Sequence, residues 1–544
     1  MKKSTWLLLL NILFIVLPAY SQSYLISDKT FGTSLQEWYP QMASKGNHLV
    51  IAGSTFQSGI EFDKTDSSCS QIIGQSKDIW VVKCDLNYSK IFDYSFGGSN
   101  IESTVGNVEI NADGNIYIIG TSNSDSSCNK SENSRGGYDL WLIALDSTGN
   151  LLWERTYGSS GNERPADFIQ LSSGEFIIAG TSNGPIDGDK SSGNIGGYDI
   201  WLIKTDNVGN KIWDKSLGGV NDENSNGTGG SIGMDLLLLD SNKFILVCSS
   251  KSSNSGNVTD TTNGSLDELV MAMDSSGTIL WDKLLGGSQQ DYPNSVCKSK
   301  NGFLICGLTT SPISGDVSEV SRGNQDVWVI EIDSVGNKLW DKRYGGSGYD
   351  YGTKILPSPD GGYWISAVSQ SPQGFELSEP SYGGADYWML KIDSIGNILW
   401  EKRFGAQGFD YPMNFVIMPD SSIFVAGFGG QGASAVKTDA GKGFADYWIV
   451  HFNYYQNTSD IHEHNAQLEL TLWPMPTQDA VNVKGLPIGS FTANIYSIEG
   501  RLLHTENLQG GAPLSISLTG LSSGMYLLEF KNDSLRATVK VLKN

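Results

Sequence analysis

Short apolar runs that end in glycine alternate with polar turns along most of this chain, as in Phe176-Ile-Ile-Ala-Gly180. Runs of this length, rich in β-branched and aromatic residues and bounded by Gly, Asn, Asp and Ser, predict short strands rather than helices. One pattern recurs seven times, most legibly as Asp139-Leu-Trp-Leu-Ile-Ala-Leu-Asp-Ser-Thr-Gly-Asn-Leu-Leu-Trp153 followed by Tyr157-Gly158. Its opening residue is Asp78, Asp139, Asp199, Asp267, Asp326, Asp386 and Asp446, a spacing of 59 to 68 residues. Each unit has room for four strands, and four-stranded units repeated seven times around an axis predict an all-β, seven-bladed β-propeller.

The two ends of the repeat support a ring. The last unit stops after Asp446-Tyr-Trp-Ile-Val-His-Phe452 without a following strand, whereas Tyr24-Leu-Ile-Ser-Asp-Lys-Thr-Phe-Gly32 aligns with Leu151 to Gly158. The N-terminal strand is therefore expected to complete the final blade, leaving no unpaired edge and allowing a monomer. Tight turns such as Asp113-Gly114, Asn301-Gly302 and Asp333 to Asn337 link strands one to two and three to four. Those hairpins share one face. The long Gly/Ser/Asp-rich loops, such as Thr181 to Tyr198, and the crossings between blades, such as Tyr344 to Tyr351, then share the other, where binding is expected because variable loops sit on a rigid scaffold.

Composition narrows the function. The 544 residues include 59 Asp or Glu against 37 Lys or Arg, a formal charge of -22 that argues against nucleic acid as a partner. Lys2-Lys3, the apolar run from Trp6 to Leu17 and Ala19-Tyr20-Ser21 have the order of a secretory signal peptide over residues 1–21. No later stretch is long and apolar enough for a transmembrane helix. An extracytoplasmic setting permits disulfides. Cys297 and Cys306 flank the Asn301-Gly302 turn and invite a cross-strand pairing; Cys69 and Cys128 follow the same Asp-Ser-Ser in neighbouring loops; either pair is a disulfide or two thiols.

Candidate chemistry lies where the repeat loses its symmetry. Five positions after the first Gly of each crossing stands a carboxylate: Glu37, Glu102, Glu163, Glu223, Asp291, Asp350 and Asp410. An acid needed in all seven blades is better explained as a loop-pinning hydrogen-bond acceptor than as a catalyst, which requires two carboxylates in unlike environments. The next residue is Trp38, Ser103, Arg164, Asn224, Tyr292, Tyr351 or Tyr411, so aromatic rings occupy four blades that adjoin once the ring closes. Glu37, Trp38, Asp291, Tyr292, Asp350, Tyr351, Asp410 and Tyr411 are thus the candidate ligand site, with rings to stack on sugar faces and acids to take hydroxyls. The plain alternative is that these rings fill gaps between blades. Gly229-Gly-Ser231-Ile-Gly233 matches a nucleophile elbow but lacks a following helix and a His partner. His462-Glu-His464 lies in a polar linker. Asp187-Gly-Asp189 could hold a structural Ca²⁺ but lacks an EF-hand's ligand run, so no cofactor is expected.

Two resemblances extend this reading. Ala144 to Trp153 resembles the tryptophan-docking repeat of quinoprotein propellers, which implies only a role in stapling blades; those propellers have eight blades and a vicinal Cys pair, and this chain has neither. From Leu468 the strands change character. Trp473-Pro-Met-Pro476, Gly500-Arg501 after a strand, Leu521-Ser-Ser-Gly524-Met-Tyr526 and the Lys-rich final strand through Lys540 resemble the C-terminal sorting domain of the type IX secretion system. Pro474, Pro476, Gly524, Tyr526 and Lys540 carry that resemblance, with Trp and Met where the family usually has Tyr and Asn. It implies contact with the type IX machinery and delivery to the cell surface or beyond the outer membrane of a Gram-negative cell. The expected organisation is a signal peptide (1–21), a seven-bladed propeller (22–455), a linker (456–467) and a small β-sandwich sorting domain (468–544). The expected function is an exported binding module for polysaccharide or a protein partner. The alternatives are an endoglucanase-like glycoside hydrolase and a purely structural surface protein.

Overall fold

The computed structural model describes residues 23–56, 59–67, 77–224, 233–430, 432–434, 436–454, 470–473, 477–487, 489–497, 501–532 and 536–543. The expected signal peptide, the expected linker with His462 and His464, Cys69, most of the Gly229–Gly233 stretch, and Pro474 and Pro476 lie outside them. All regular structure among the described residues is strand, and no described helix is long and apolar enough to cross a membrane. The chain divides into two compact units, one within Tyr20–Tyr455 and one within Gln456–Asn544.

The larger unit contains seven four-stranded antiparallel sheets, here numbered by position: sheet one (37–96), two (102–157), three (163–217), four (234–285), five (291–344), six (350–404) and seven (410–454 with 23–31). In the first six, chain order is spatial order from the innermost strand outward. In the seventh the outermost place is taken by Ser23–Phe31, which pairs antiparallel with Ala445–Tyr454 from Phe31 opposite Tyr447 to Ser23 opposite Tyr454. The innermost strands, Glu37–Lys45, Glu102–Ile110, Glu163–Gln170, Met234–Asp240, Asp291–Lys298, Asp350–Pro357 and Asp410–Ile417, each pack on the next, and the last packs on the first. Such mutual packing of inner strands gives a closed, propeller-like ring.

One side-chain arrangement repeats through this ring. On the third strand of six sheets a fully buried indole, that of Trp80, Trp141, Trp201, Trp328, Trp388 or Trp448, donates to a carboxylate on the outermost strand. The acceptors are Asp93, Glu154, Asp214, Asp341, Glu401 and Asp28, at 2.5–3.1 Å. The same acids, joined by Asp282 of sheet four, accept the backbone N–H of a Ser or Thr in the long loop, such as Thr65, Thr259 or Ser318. One carboxylate therefore ties two strands and the long loop together. Burial works against its ionisation, yet the Lys338 ammonium, the Ser318 donors and the Trp328 indole outweigh burial and hold Asp341 below its usual range. Asp214 and Asp93 are lowered in the same way.

The second Trp column joins neighbours. A Cβ added at Gly209, which has φ +82°, would meet the Trp153 ring at 2.9 Å, and Gly277, Gly336 and Gly396 stand likewise against Trp213, Trp281 and Trp340. The Gly of these turns thus leaves room for the preceding sheet's indole, and Gly149 does the same for the Tyr94 and Phe92 rings. Tyr157 and Tyr344 add hydroxyl bonds to the Gly209 and Gly396 carbonyls at 2.5 and 2.6 Å.

The structure corrects the cysteine pairing. The strands leave the Ser299–Gly302 turn in a register that sets Cys297 opposite Leu304 and Cys306 opposite Ser295, so the two cysteines are diagonal neighbours and both are buried free thiols. In the smaller unit a three-stranded sheet (Thr471–Trp473, Ala480–Lys484, Leu514–Ser517) and a four-stranded sheet (Gly489–Ser497, Leu502–Gly510, Gly524–Lys531, Arg536–Lys543) share one core around Val481, Phe491, Ile516, Leu528 and Val541. Gly524 opens a strand of that sheet, the Tyr526 hydroxyl donates to the Ser522 carbonyl at 2.6 Å, and Lys540 pairs with Leu527.

Asp341→Asn keeps the shape of the tie but removes a charged acceptor, and is expected to cost ~1.5–3 kcal/mol in urea unfolding at pH 7. Because the native pKa is depressed, that stability is present above the unfolded value of 3.8 and disappears as pH falls through the native one. The variant's deficit should therefore shrink below pH 4.

Candidate functional site

Six of the seven inner strands carry an irregularity near the same height. The register shifts at Trp38/Gln41, Ser103/Asn107, Pro165/Asp167, Pro293/Ser295, Gly352/Lys354 and Pro412/Asn414. A bulge releases backbone groups from the ladder and re-aims the following side chain. Gln41, Asn107, Asp167, Ser295, Lys354 and Asn414 stand just past the shifts, and Asp235, opposite Val247, takes the equivalent place in sheet four.

These residues bond from sheet to sheet. Asn107 Nδ2 donates to Asp167 Oδ1 at 2.6 Å, and Leu236 N donates to Asp167 Oδ2 at 2.8 Å. Ser295 Oγ and Val296 N donate to Asp235 Oδ2 at 2.9 and 2.8 Å. Lys354 Nζ reaches both Asp235 oxygens at 3.3 Å from two sheets away. Asn414 Nδ2 closes on the Met42 carbonyl at 3.2 Å.

Above this polar ring is a cavity of about 420 Å³ on the axis, to which every inner strand contributes. One wall is aromatic: Trp38, Tyr39, Tyr351, Tyr411 and Phe428. Trp38 stacks on Phe428 at 5.6 Å, and Tyr411 meets Phe428 at 5.3 Å and the exposed Phe409 at 6.1 Å. The opposite wall holds Asn107, Asp167, Asp235, Asn294 and Lys354. Burial, reinforced by the neighbouring Asp235 carboxylate, raises Asp167 well above its ordinary value, with Lys354 opposing. Glu109, on the same inner strand as Asn107, is raised to about 7, first by burial and then by Asp235, again against Lys354. The Lys354 ammonium is held charged: burial works against it, but Asp235 and Asp167 more than compensate. Although Lys354 lies deep in the molecule, 27% of its side chain stays open to the cavity. The site thus favours a proton on Asp167 and places it beside the Asp235–Lys354 ion pair.

The eight residues read from the repeat divide sharply. Trp38, Tyr351 and Tyr411 line the cavity, and Tyr292 does not. Its hydroxyl points instead toward Gln290 Oε1 at 3.4 Å. Glu37, Asp291, Asp350 and Asp410 are buried in the loop layer. Glu37 accepts from Thr33 N at 2.9 Å and Thr55 Oγ1 at 2.9 Å; Asp291, Asp350 and Asp410 accept from Gly287 N, Gly346 N and Ala406 N at 2.7–2.8 Å. They occupy the loop-pinning role. Asp187 serves Ser160 N at 2.8 Å and Asp189 serves Arg135 Nε at 2.9 Å, so both carboxylates of that loop have protein partners. No group of three or more His, Cys, Asp or Glu among the described residues is arranged to hold a metal.

Asp167, Asp235 and Lys354 escaped the repeat reading because they do not repeat. A signal existed: the fourth residue after the pinning acid is Gln41, Asp167, Ser295, Lys354 and Asn414 in five units, always polar and never the same. Asp235 was hidden by the extra residues between Glu223 and its strand.

The fold and this cavity define an all-β protein of propeller-like sheets with a polar and aromatic hollow on its axis. Residues 471–544 match the family model described as a secretion system C-terminal sorting domain, so the protein is secreted by the type IX system to the cell surface or extracellular space. No curated protein matches the chain. Among solved structures it is similar to Kuenenia stuttgartiensis hydrazine synthase, at 11% identity over 66% of this chain and 92% of that one, with a TM-score of 0.38. It is also similar to a glycoside hydrolase family 43 arabinoxylan arabinofuranohydrolase from Bacillus subtilis, at 10% identity over 93% and 94%, with a TM-score of 0.32. A mutant Trypanosoma rangeli sialidase displaying trans-sialidase activity gives 8% identity over 96% and 88%, with a TM-score of 0.35.

Removing the ammonium of Lys354 leaves Asp235 as an uncompensated buried charge. Lys354→Met is expected to cost ~3–5 kcal/mol, and the double variant Lys354→Met/Asp235→Asn to recover most of it. Chemical unfolding of the three proteins at pH 7 checks this.

Proposed function

We propose that this chain is an exported seven-bladed β-propeller, closed by its N-terminal strand and delivered by a C-terminal β-sandwich, that binds a saccharide in its axial cavity. The observation that carries the reading is the division of the cavity into an aromatic wall and a polar one. Sugar rings present C–H faces that stack on Trp and Tyr, and hydroxyls that pair with carboxylates, amides and ammonium groups. About 420 Å³ lies within the usual range for small-ligand sites and is enough for one or two sugar rings. A signal peptide over residues 1–21 supplies the first export step and the sorting domain the second.

The acid pair favours binding over hydrolysis. Retaining and inverting glycosidases hold their carboxyl groups ~5–5.5 Å or ~6.5–9.5 Å apart. Here the oxygens of Asp167 are taken by Asn107 Nδ2 and Leu236 N, and those of Asp235 by Ser295 Oγ, Val296 N and Lys354 Nζ, so both carboxyls are engaged in joining the sheets.

A glycan array probed with the mature protein should give saccharide binding, without reducing-sugar release from the same polymers. Trp38→Ala and Tyr411→Ala are each expected to weaken binding about tenfold or more while thermal unfolding moves by only a few degrees. Binding only to proteins, release of sugar, or a loss of binding that merely follows unfolding would each overturn the reading.

A further inference from the structure

Six of the seven sheets bury one cation among their acids. Sheets one, two, three and seven supply it from the long loop, as Lys64, Lys130, Lys190 and Lys437, none more than 2% exposed. Lys437 Nζ lies 3.1 Å from Asp410 Oδ1, while Lys130 and Lys190 donate to Thr156 Oγ1 and Ser216 Oγ at 2.6 and 2.8 Å, close to the acids of their own sheets. Sheets five and six supply it from the outermost strand, where Arg343 meets Asp326 at 3.1 Å and Arg403 approaches Asp386 at 3.9 Å.

Sheet four has neither. Val258 stands in the loop position and Leu284 in the outer-strand position, both buried. Yet this sheet carries an extra acid. The residue after the third-strand Asp is Ile79, Leu140, Ile200, Val327, Tyr387 and Tyr447 in the other sheets, and Glu268 here. Glu268 is 0% exposed, and neither of its side-chain oxygens has a hydrogen-bond partner. The charged groups that reach it are all acids: Asp291 and Asp316 from sheet five and Asp267 from its own strand. The Cys306 thiol of sheet five is also close enough to feel its charge. The same junction holds the Asp235 bonds to Ser295 and Val296 at the axial cavity.

We propose that the junction between sheets four and five is a pH-sensitive joint, closed while Glu268 carries a proton and loosened when that proton leaves. Burying a neutral carboxyl without partners costs far less than burying an unpaired carboxylate among other acids. Burial, then the surrounding acids, raise Glu268 well above its ordinary value; Asp267 and Glu223 rise to about 7 with burial as the first cause. A raised native pKa gives stability that is complete below the unfolded value of 4.5 and is lost as pH climbs toward the native one. Each such group makes the folding constant fall about tenfold per pH unit in that window. Asp267 and Glu223, at about 7, and Glu37, at about 8, also contribute near neutral pH, so the part due to Glu268 is the difference between the native chain and its Glu268 variants.

Urea unfolding of the mature chain, followed by tryptophan fluorescence at pH 7, 8 and 9, tests this with Glu268→Gln and the apolar Glu268→Leu beside the native protein. The native folding constant should fall more steeply with pH above 7 than either variant's, approaching tenfold per pH unit for as long as Glu268 keeps its proton in the folded state. Labelling of Cys306 by an uncharged maleimide in the folded protein should be faster in the native chain than in Glu268→Gln at pH 9, and equal at pH 6. Parallel stability curves for the native chain and whichever variant folds, or equal Cys306 labelling at pH 9, would overturn the proposal.

Discussion

The ring depends on how one carboxylate per sheet is shared. A buried acid is unfavourable unless its oxygens are occupied. Here the outermost-strand acid occupies them with an indole from the third strand and a backbone N–H from the long loop, as Asp341 does with Trp328 and Ser318. That fixes the loop over the sheet end. The loop in turn delivers Lys64, Lys130, Lys190 or Lys437 into the acid layer, where the crossing acids pin the next turn. Sheet four shows which parts are essential: it lacks the indole and the buried cation, carrying Leu269, Val258 and Leu284, but keeps Asp282 on Thr259.

Repetition and function occupy different layers of the same strands. At the top of each inner strand the acid is constant and buried, and its chemistry is consumed by its own loop. A few residues further on the bulge changes register, and there sequence identity varies freely because each position needs only some polar group to meet the next sheet. Variation at one height collects Asp167, Asp235 and Lys354 on one side of the axis and the aromatic residues on the other. The asymmetry that a ligand requires thus arises where the scaffold tolerates it.

Electrostatically, the surplus of acids is mostly internal to the construction of the sheets. Pinning acids and tie acids have assigned donors, and buried lysines or arginines offset most of them. The exceptions are Glu268, which only acids reach, and Asp167 beside the Asp235–Lys354 pair; burial and neighbouring acids raise both carboxyls well above their ordinary values. They meet where Asp235 bonds across to sheet five.

By itself the sequence determined the strand pattern, the seven repeats and the split of the last sheet between the two chain ends, because each follows from local periodicity and turn chemistry; the sorting character of the tail came from its resemblance to a known family. It also indicated Trp38, Tyr351 and Tyr411, since these break a visible column. Only the tertiary structure decided that Tyr292 turns away from them, that Cys297 and Cys306 sit diagonally, and that Asp167, Asp235 and Lys354 converge. The register shifts just before Asp167 and Lys354 control the last of these. A bulge changes which side chain faces the axis without changing the pattern of apolar and polar residues that announces the strand.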